Sequence, residues 1–477
     1  MEKFSGRKAE VHRFTDFLKE EHSSISVVYG RRRIGKSFLV AHCLRNHNPI
    51  TIEGLENKPQ NEQIKSFLLQ LARQCSQNLS IPFGIKSWAE ALFVLFEELK
   101  NNPRPVILDE FQWLANYRSD LVVQLKMLWE QYISKCGNIK LVLCGSIASF
   151  MIKRVIKSQA LYGRVNLIIH LKAMLLKETS EMMSGKGLHE ILDIQLLTGG
   201  VPKYIQMLQA KPSVRLGIVQ EALSQNGYFV DEFDRIFTSH FGKNPDYEKI
   251  IHFLAMNPYG LSRTRICEFT GIRNGGNLTT MLDNLDSAGF ISSKTPFFAR
   301  HSIKQKKYYL HDAYLRFFYS FIKPNLSDIE RNTNKQYIEQ IWSSPRFRSW
   351  MGKSFEHICI QHAHLITELL GFAGVEYACG PYFKIADKEE MGCQIDLAFD
   401  RADKVITLCE MKYTMTSVGM DVIEEVERKS EILRRKYPAK TIQPVLLTLS
   451  KPTSDLENSG YFFRIIQAET LIQTTGN

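Results

Sequence analysis

The sequence predicts an α/β protein whose largest domain is a parallel sheet with helices packed on it, followed by a smaller α/β domain near the other end. Three observations predict it. Between Val27 and about Leu171, short apolar runs alternate with helix-length amphipathic segments, the rhythm of β-α units. The first of these runs opens into Gly30-Arg-Arg-Arg-Ile-Gly35-Lys36-Ser37 and then a helix-length stretch. Far downstream, "QIDLAFD" and "KVITLCEMKY" read as strands that follow the helical "GKSFEHICIQHAHLITELL".

Taken in order, "ISVVYG", "PITIEG", "RPVILDEF", "IKLVLCGS" and "VNLIIHL" are the five expected strands of the first sheet. Leu175 to Phe241 lacks strand-like runs and carries helical periodicity, so it reads as an α-helical lid. "YEKIIHFLAM", "SRTRICEFTG" and "NLTTMLDNLDSAG" are three short helices, each ending near glycine or proline. Two strands joined by a polar, basic loop follow, which is winged-helix organisation. "DAYLRFFYSFIKPN" resumes a helix expected to stop at Pro324, and Ser327 to Gln336 is the most linker-like segment. The expected domains are therefore a core over 1–172, a lid over 173–243, a winged helix over 244–325 and a last domain over 337–477.

A chain of 477 residues is too long for one ordinary core. With 44% hydrophobic and 23% charged residues it has the composition of a folded globular protein rather than a disordered one. No apolar run approaches the roughly 18 residues that a membrane span requires. The start of the sequence shows no signal peptide. Nine cysteines (Cys43, Cys75, Cys136, Cys144, Cys267, Cys359, Cys379, Cys393, Cys409) are scattered without a C-x-x-C pair. They read as free thiols, and the expected location is cytoplasmic. A formal charge of +11 favours polyanionic partners, since lysine and arginine displace counterions from phosphates.

The loop Gly30–Ser37 fits G-x-x-x-x-G-K-[ST] completely, with a strand before it and a helix after it. Its glycines let backbone N–H groups of Gly30, Arg31, Arg32, Arg33, Ile34 and Gly35 close around a phosphate at a helix N-terminus. Lys36 should reach the β- and γ-phosphates of ATP, Ser37 should ligate Mg²⁺, and Phe38 follows as the next contact. "RPVILDEFQWL" supplies the carboxylates: Asp109 to hold Mg²⁺ through water, and Glu110 to orient or deprotonate the attacking water. Arg164 in "ALYGRVN" is the candidate for the extra positive charge on the γ-phosphate, in cis or toward a neighbouring subunit of a homo-oligomer.

With "FSGRKAEVHRF", "YGRRRIGKS", "VILDEFQWL", "LCGSIASFM", "LYGR" and "LLTGGVPKYIQML", the chain resembles the archaeal-type AAA+ ATPases, P-loop proteins of a STAND-like kind. The resemblance implies that Gly6, Arg7 and Glu10 line the adenine pocket and that Gly200 to Pro202 lies near the nucleotide base. It extends through the winged helix to a C-terminal nuclease-like domain of the DUF234 type, and so covers nearly the whole chain.

In the distal stretch, Asp396 is expected to end one strand, with Glu410 and Lys412 two apart on the same face of the next. Carboxylates and a lysine converging at a sheet edge can hold Mg²⁺ and stabilise charge on a cleaved phosphodiester. Glu356, on the preceding helix, is a further candidate ligand, and Gln394 faces the same way as Asp396. This order resembles the PD-(D/E)XK nuclease core. His357, His362 and His364 read as packing or solvated histidines.

In the winged helix, Asn277, Thr279 and Thr280 would face base edges or phosphates, while Lys294, Arg300, Lys304, Lys306 and Lys307 would give the wing a basic surface. Asp283 and Asp286 argue against close approach to phosphate along the full third helix. Two functions follow. One is an ATP-hydrolysing protein acting on or with DNA, with a possible Mg²⁺-dependent nuclease domain. The other is a nucleotide-dependent signalling or scaffold switch that recruits a protein partner and carries an inactive nuclease-like domain.

Overall fold

The five apolar runs of the N-terminal half become five parallel strands: β1 (Ser24–Tyr29), β2 (Ile50–Glu53), β3 (Val106–Asp109), β4 (Lys140–Gly145) and β5 (Val165–His170). They stand in the order β2-β3-β4-β1-β5. This is seen in a computed structural model that describes every residue outside 1–3, 76–83, 117, 136, 243, 296–305, 332–339, 385–391 and 474–477. All six residues of β1 and of β4 are buried, whereas the edge strands β2 and β5 alternate buried and exposed positions. Central parallel strands need cover on both faces, and they have it. Ile25, Val27 and Tyr29 face one apolar cluster with Trp88, Leu92 and Phe111, while Val28 faces the other with Phe14, Leu39 and Val40.

The chain divides into two compact units, one of Met1–Ala173 with Val201–Lys203 and one of Met174–Gly200 with Tyr204–Asn477. The second unit begins with helices, including Leu188–Thr198, Val214–Ala222 and Tyr228–Phe241. Three more follow, Pro245–Met256, Arg263–Thr270 and Gly276–Ser287, with a small antiparallel sheet of β6 (Leu261–Ser262), β7 (Ile291–Lys294) and β8 (Lys307–Leu310) in the order β6-β8-β7.

The helix expected to stop at Pro324 does not stop there. It starts at Ala313, passes through a π-type turn at Phe318–Ile322 and a tight 3₁₀ turn at Lys323–Asn325, and runs on as Leu326–Arg331. The proline sits in the first turn of the 3₁₀ segment, where a missing N–H costs nothing. The front of the expected linker is thus helical and buries Ile329, and its remainder, 332–336, lies outside the described residues.

The long helix Pro345–Gln361 leads into a five-stranded mixed sheet: β9 (Tyr377–Lys384), β10 (Cys393–Arg401), β11 (Val405–Lys412), β12 (Thr441–Thr448) and β13 (Arg464–Gln467), ordered β13-β12-β11-β10-β9. The β9, β10 and β11 strands pair antiparallel, and β11, β12 and β13 pair parallel. The helix Asp421–Lys436 supplies the crossover that a parallel β11–β12 pair requires. Asp396 does not end a strand; it lies inside β10, where the pairing with β9 shifts register between Ile395 and Ala398. Such irregularities re-aim side chains. Among the described residues no helix is long and apolar enough to cross a membrane.

Candidate nucleotide site and distal carboxylate site

Because β1, β3 and β4 are parallel neighbours, the segments after their carboxyl ends meet along one edge of the sheet, where open α/β sheets bind ligands. The loop after β1 is folded by three left-handed or positive-φ residues: Gly30 (φ +152°), Arg33 (φ 68°) and Gly35 (φ 87°). A Cβ on Gly30 would fall 2.2 Å from the Leu171 carbonyl oxygen, so only glycine lets β1 turn there. The helix Lys36–Leu44 starts directly behind Gly35, which leaves the loop's amides at a helix N-terminus.

The decisive contact joins two segments 72 residues apart: the Ser37 hydroxyl donates to Asp109 Oδ2 at 2.6 Å. A hydroxyl and a carboxylate so placed can share one divalent cation. Lys36 is 6% exposed, and its ammonium donates to the Arg31 carbonyl at 3.0 Å. Burial pushes its pKa down while Glu110 and Asp109 pull it back up. A buried ammonium with one neutral carbonyl partner fits a phosphate ligand.

Glu110 is in a left-handed conformation (φ 46°), and its carboxylate is placed by two polar side chains. Its Oε2 accepts from the Ser146 hydroxyl at 2.6 Å and from the Gln112 amide, and that amide also donates to Ser146 Oγ at 3.0 Å. Glu53, at the end of β2 and opposite Asp109 in register, is a further carboxylate at this edge. Burial raises its pKa, and Asp109 and Glu110 raise it further. Arg32 is paired with Glu56 at 3.0 Å. Arg7, 4% exposed and in a left-handed conformation, donates to the Ile34 carbonyl at 3.3 Å and so braces the loop from the Gly6–Glu10 segment. Pro202 lies about a van der Waals contact from Gly35, 4.0 Å from the position a Cβ there would take. Phe38 is exposed and stacks on Phe4 with ring centroids 5.5 Å apart.

Residues 4–208 match the family model of an ATPase domain predominantly from Archaea. This region is an ATPase domain of that family. Residues 318–428, in the second unit, match a model of archaeal and bacterial proteins of unknown function. The chain is also similar to an uncharacterized protein of Methanocaldococcus jannaschii, 24% identical over 412 residues that cover 86% of this chain and 87% of that one. Among solved structures it resembles a Walker-type ATPase of Pyrococcus abyssi, at 17% identity and a TM-score of 0.48, covering 66% of this chain and 96% of the other. It likewise resembles the ORC2 protein of Aeropyrum pernix in ADPNP–ADP complexes, at 15% identity and a TM-score of 0.47, covering 69% and 95%.

Within the ATPase domain the strand direction decides against one of the two placements expected for Arg164, the one in cis. Arg164 cannot reach the phosphates held by its own chain. It precedes β5, which runs parallel to β1 with Val165 beside Ile25 and His170 beside Tyr29. The arginine therefore stands at the opposite end of the sheet, roughly 15 Å of strand away from the loop. There it pairs with Glu130 and donates to the Tyr162 carbonyl at 3.1 Å.

The distal residues are gathered within the second unit, with partners the ATPase domain does not supply. Leu397 pairs with Cys409 at the end of the antiparallel ladder, and Asp396 and Glu410 are the next residues beyond it on the two strands. Glu410 and Lys412 do share a face, with Oε1 and Nζ 3.0 Å apart. Two residues of the crossover helix close the set into a square. Lys429 bonds Glu410 at 2.7 Å and Glu425 at 2.9 Å, and Lys412 bonds Glu425 at 2.7 Å. Burial pushes the Glu425 pKa up, but its bonds to Lys412 and Lys429 outweigh that and hold it at about 2. Glu356 is bonded through both oxygens by Lys353, at 2.9 and 3.0 Å. Burial first, then neighbouring Asp396, pushes it up to about 7 against the pull of Lys353. Gln394 donates to Asp396 at 2.7 Å, as its position suggested.

This arrangement does not fit the expected metal set. Among the described residues no three Asp, Glu, His or Cys side chains are gathered closely enough to hold an ion, so Glu356, Asp396 and Glu410 do not form one site. Each of Glu356 and Glu410 is neutralised by a lysine instead. A cavity of about 30 Å³ between the small antiparallel sheet and the mixed sheet is lined by Asp396, Glu356 and Gln394 together with Lys294 and Tyr309. That is about one water's worth of room.

The basic wing is corrected with it. Lys294 faces this cavity rather than solvent, and burial pushes its pKa down to about 8 against the pull of Asp396. Lys307 lies over the Phe383 ring of β9 at 4.6 Å, and Lys306 over Tyr308 at 5.3 Å. Arg300 and Lys304 lie outside the described residues. On the third helix Asn277, Thr279, Thr280 and Asp283 are exposed. His357 and His362 each bond a backbone carbonyl of their own helix through Nδ1, at 2.7 and 2.8 Å.

Proposed function

We propose that this chain is an ATP- and Mg²⁺-dependent machine that works with DNA, and that its nuclease-like C-terminal module grips rather than cuts. The observation that carries the nucleotide part is the 2.6 Å bond from Ser37 to Asp109. Ser37 and Asp109 would hold Mg²⁺, which supplies charge neutralisation on the β- and γ-phosphoryl oxygens. The loop amides from Gly30 to Gly35 orient the phosphates, and Lys36 donates to them from a buried position where its charge is poorly screened. Glu110, steadied by Ser146 and Gln112, takes the proton of the attacking water. Gly6, Arg7, Phe38 and Pro202 surround the base. On this reading Arg164 serves a neighbouring copy in a homo-oligomer.

The DNA part is supported by the +11 formal charge and by the exposed polar start of the helix Gly276–Ser287 within a winged-helix arrangement. DNA should stimulate ATP hydrolysis; turnover unchanged by single- and double-stranded DNA alike would favour the second reading, a switch that recruits a protein partner. The ion-paired square supports gripping without cutting, because its carboxylates already have cations. In a plasmid-nicking assay with Mg²⁺, the wild type should match Asp396→Ala and Lys412→Ala, with ATP turnover the same in all three. Nicking that disappears in both variants while turnover persists would restore a working nuclease.

A further inference from the structure

Beside the small carboxylate cavity, the second unit holds a larger one of about 220 Å³, bounded by the helices Pro245–Met256 and Ala313–Phe317 with its π-type extension, and by the helix Pro345–Gln361. Its polar lining is one-sided. Arg316, Arg346, Lys353 and His357 face it, with the Ser354 hydroxyl, and no carboxylate is among its lining residues.

Arg316 is the anomaly. Its Nε and Nη1 are shielded from solvent and meet no hydrogen-bond partner. Burial alone pushes its pKa down, to about 10, and no neighbouring acid pulls it back. Burying two unpaired guanidinium N–H donors is costly, and each is suited to donate to an anionic oxygen. Arg346 stands at the exposed rim, where its Nη2 donates to the Ser320 carbonyl at 3.0 Å. Lys353 already serves Glu356. His357 spends its Nδ1 hydrogen on the Lys353 carbonyl, which as an acceptor fixes the donor, and this leaves Nε2 as an acceptor that offers no proton to an anion.

We propose that this cavity binds a phosphate monoester, with Arg316 as the principal contact. A guanidinium with two unpaired donors, joined by a second guanidinium at the rim, matches a dianionic phosphate better than a single carboxylate. The volume decides the rest. Benzene fills a cavity of about 150 Å³, so 220 Å³ admits a phosphate with part of what it is esterified to, beside the flat indole of Trp350 on the wall. The shared chemistry has two sources, a free mononucleotide and the phosphorylated end of a nucleic acid strand.

The test uses the full chain with its phosphate loop saturated by a non-hydrolysable ATP analogue and Mg²⁺. Calorimetric titration with AMP, and with a short oligonucleotide bearing either a 5′-phosphate or a 5′-hydroxyl, should show saturable binding that requires the phosphate. Tighter binding of AMP assigns the free nucleotide, and tighter binding of the phosphorylated strand assigns the nucleic acid end. Arg316→Gln should weaken the preferred probe tenfold or more without changing affinity for the ATP analogue. Arg346→Gln, at the rim and independent of the interior packing, should weaken it severalfold. Equal affinity in the wild type and Arg346→Gln, indifference to the 5′-phosphate, or no saturable binding would overturn the assignment.

Discussion

Lys36→Ala should abolish ATP turnover and weaken ATP binding on the order of a hundredfold or more, while leaving the protein at least as stable as the wild type. The first part follows from removing a charged donor aimed at phosphate, worth roughly 3 kcal/mol at a desolvated site. The second follows from where the lysine sits. Its ammonium is buried on a single carbonyl, Arg31, and burial holds its pKa down. A charge kept in the fold at a cost is one whose removal relieves the fold. Nucleotide binding by calorimetry and thermal melting without nucleotide check the two halves. A variant that melts well below the wild type would mean that Lys36 is structural.

Glu110→Gln should behave in the opposite way toward ATP. Turnover should fall on the order of a hundredfold or more, the usual range for loss of a positioned general base, with ATP affinity within about threefold of the wild type. The amide is isosteric and keeps an oxygen to accept from Ser146, but it takes no proton. Rapid-quench measurement of bound ATP would show the nucleotide held intact. Equal loss of affinity would place Glu110 among the binding residues rather than the reacting ones.

These effects were partly legible in the sequence, for local reasons. β1 to β5 are short apolar runs with turn residues at both ends, and each maps onto a strand within a residue or two. The Gly30–Ser37 and Asp109–Glu110 segments were readable because a phosphate loop needs its glycines, lysine and hydroxyl at fixed spacing. The Glu110 clamp was only half readable. Ser146 was visible as the polar residue closing "IKLVLCGS", just past β4, but Gln112 sits inside an otherwise apolar short helix and gave no sign of turning back on Glu110.

The distal site was less legible because its partners come from elsewhere in the chain. Glu410 and Lys412 were found as a strand pair, but their ion-pair partners Glu425 and Lys429 lie a turn apart on the next helix, like many solvated helix pairs. Lys294 looked like a surface charge because nothing near it in sequence is acidic. The carboxylate it faces is about a hundred residues later. Pro324 marked a helix end by the ordinary rule, and the π-type and 3₁₀ turns around it are what allow the chain to pass through. Arg164 was placed by residue type alone; the strand direction of β5 decides which end of the sheet it occupies.

The central claim is that Ser37, at the start of a helix, and Asp109, at the end of β3, brought to 2.6 Å, share one cation with the nucleotide. Its most direct test is the Mg²⁺ dependence of ADP affinity in the wild type and in Asp109→Asn. Mg²⁺ should tighten ADP binding in the wild type, and the variant should lose at least tenfold of that enhancement while its affinity in EDTA stays unchanged. The same Mg²⁺ enhancement in both proteins would contradict the account.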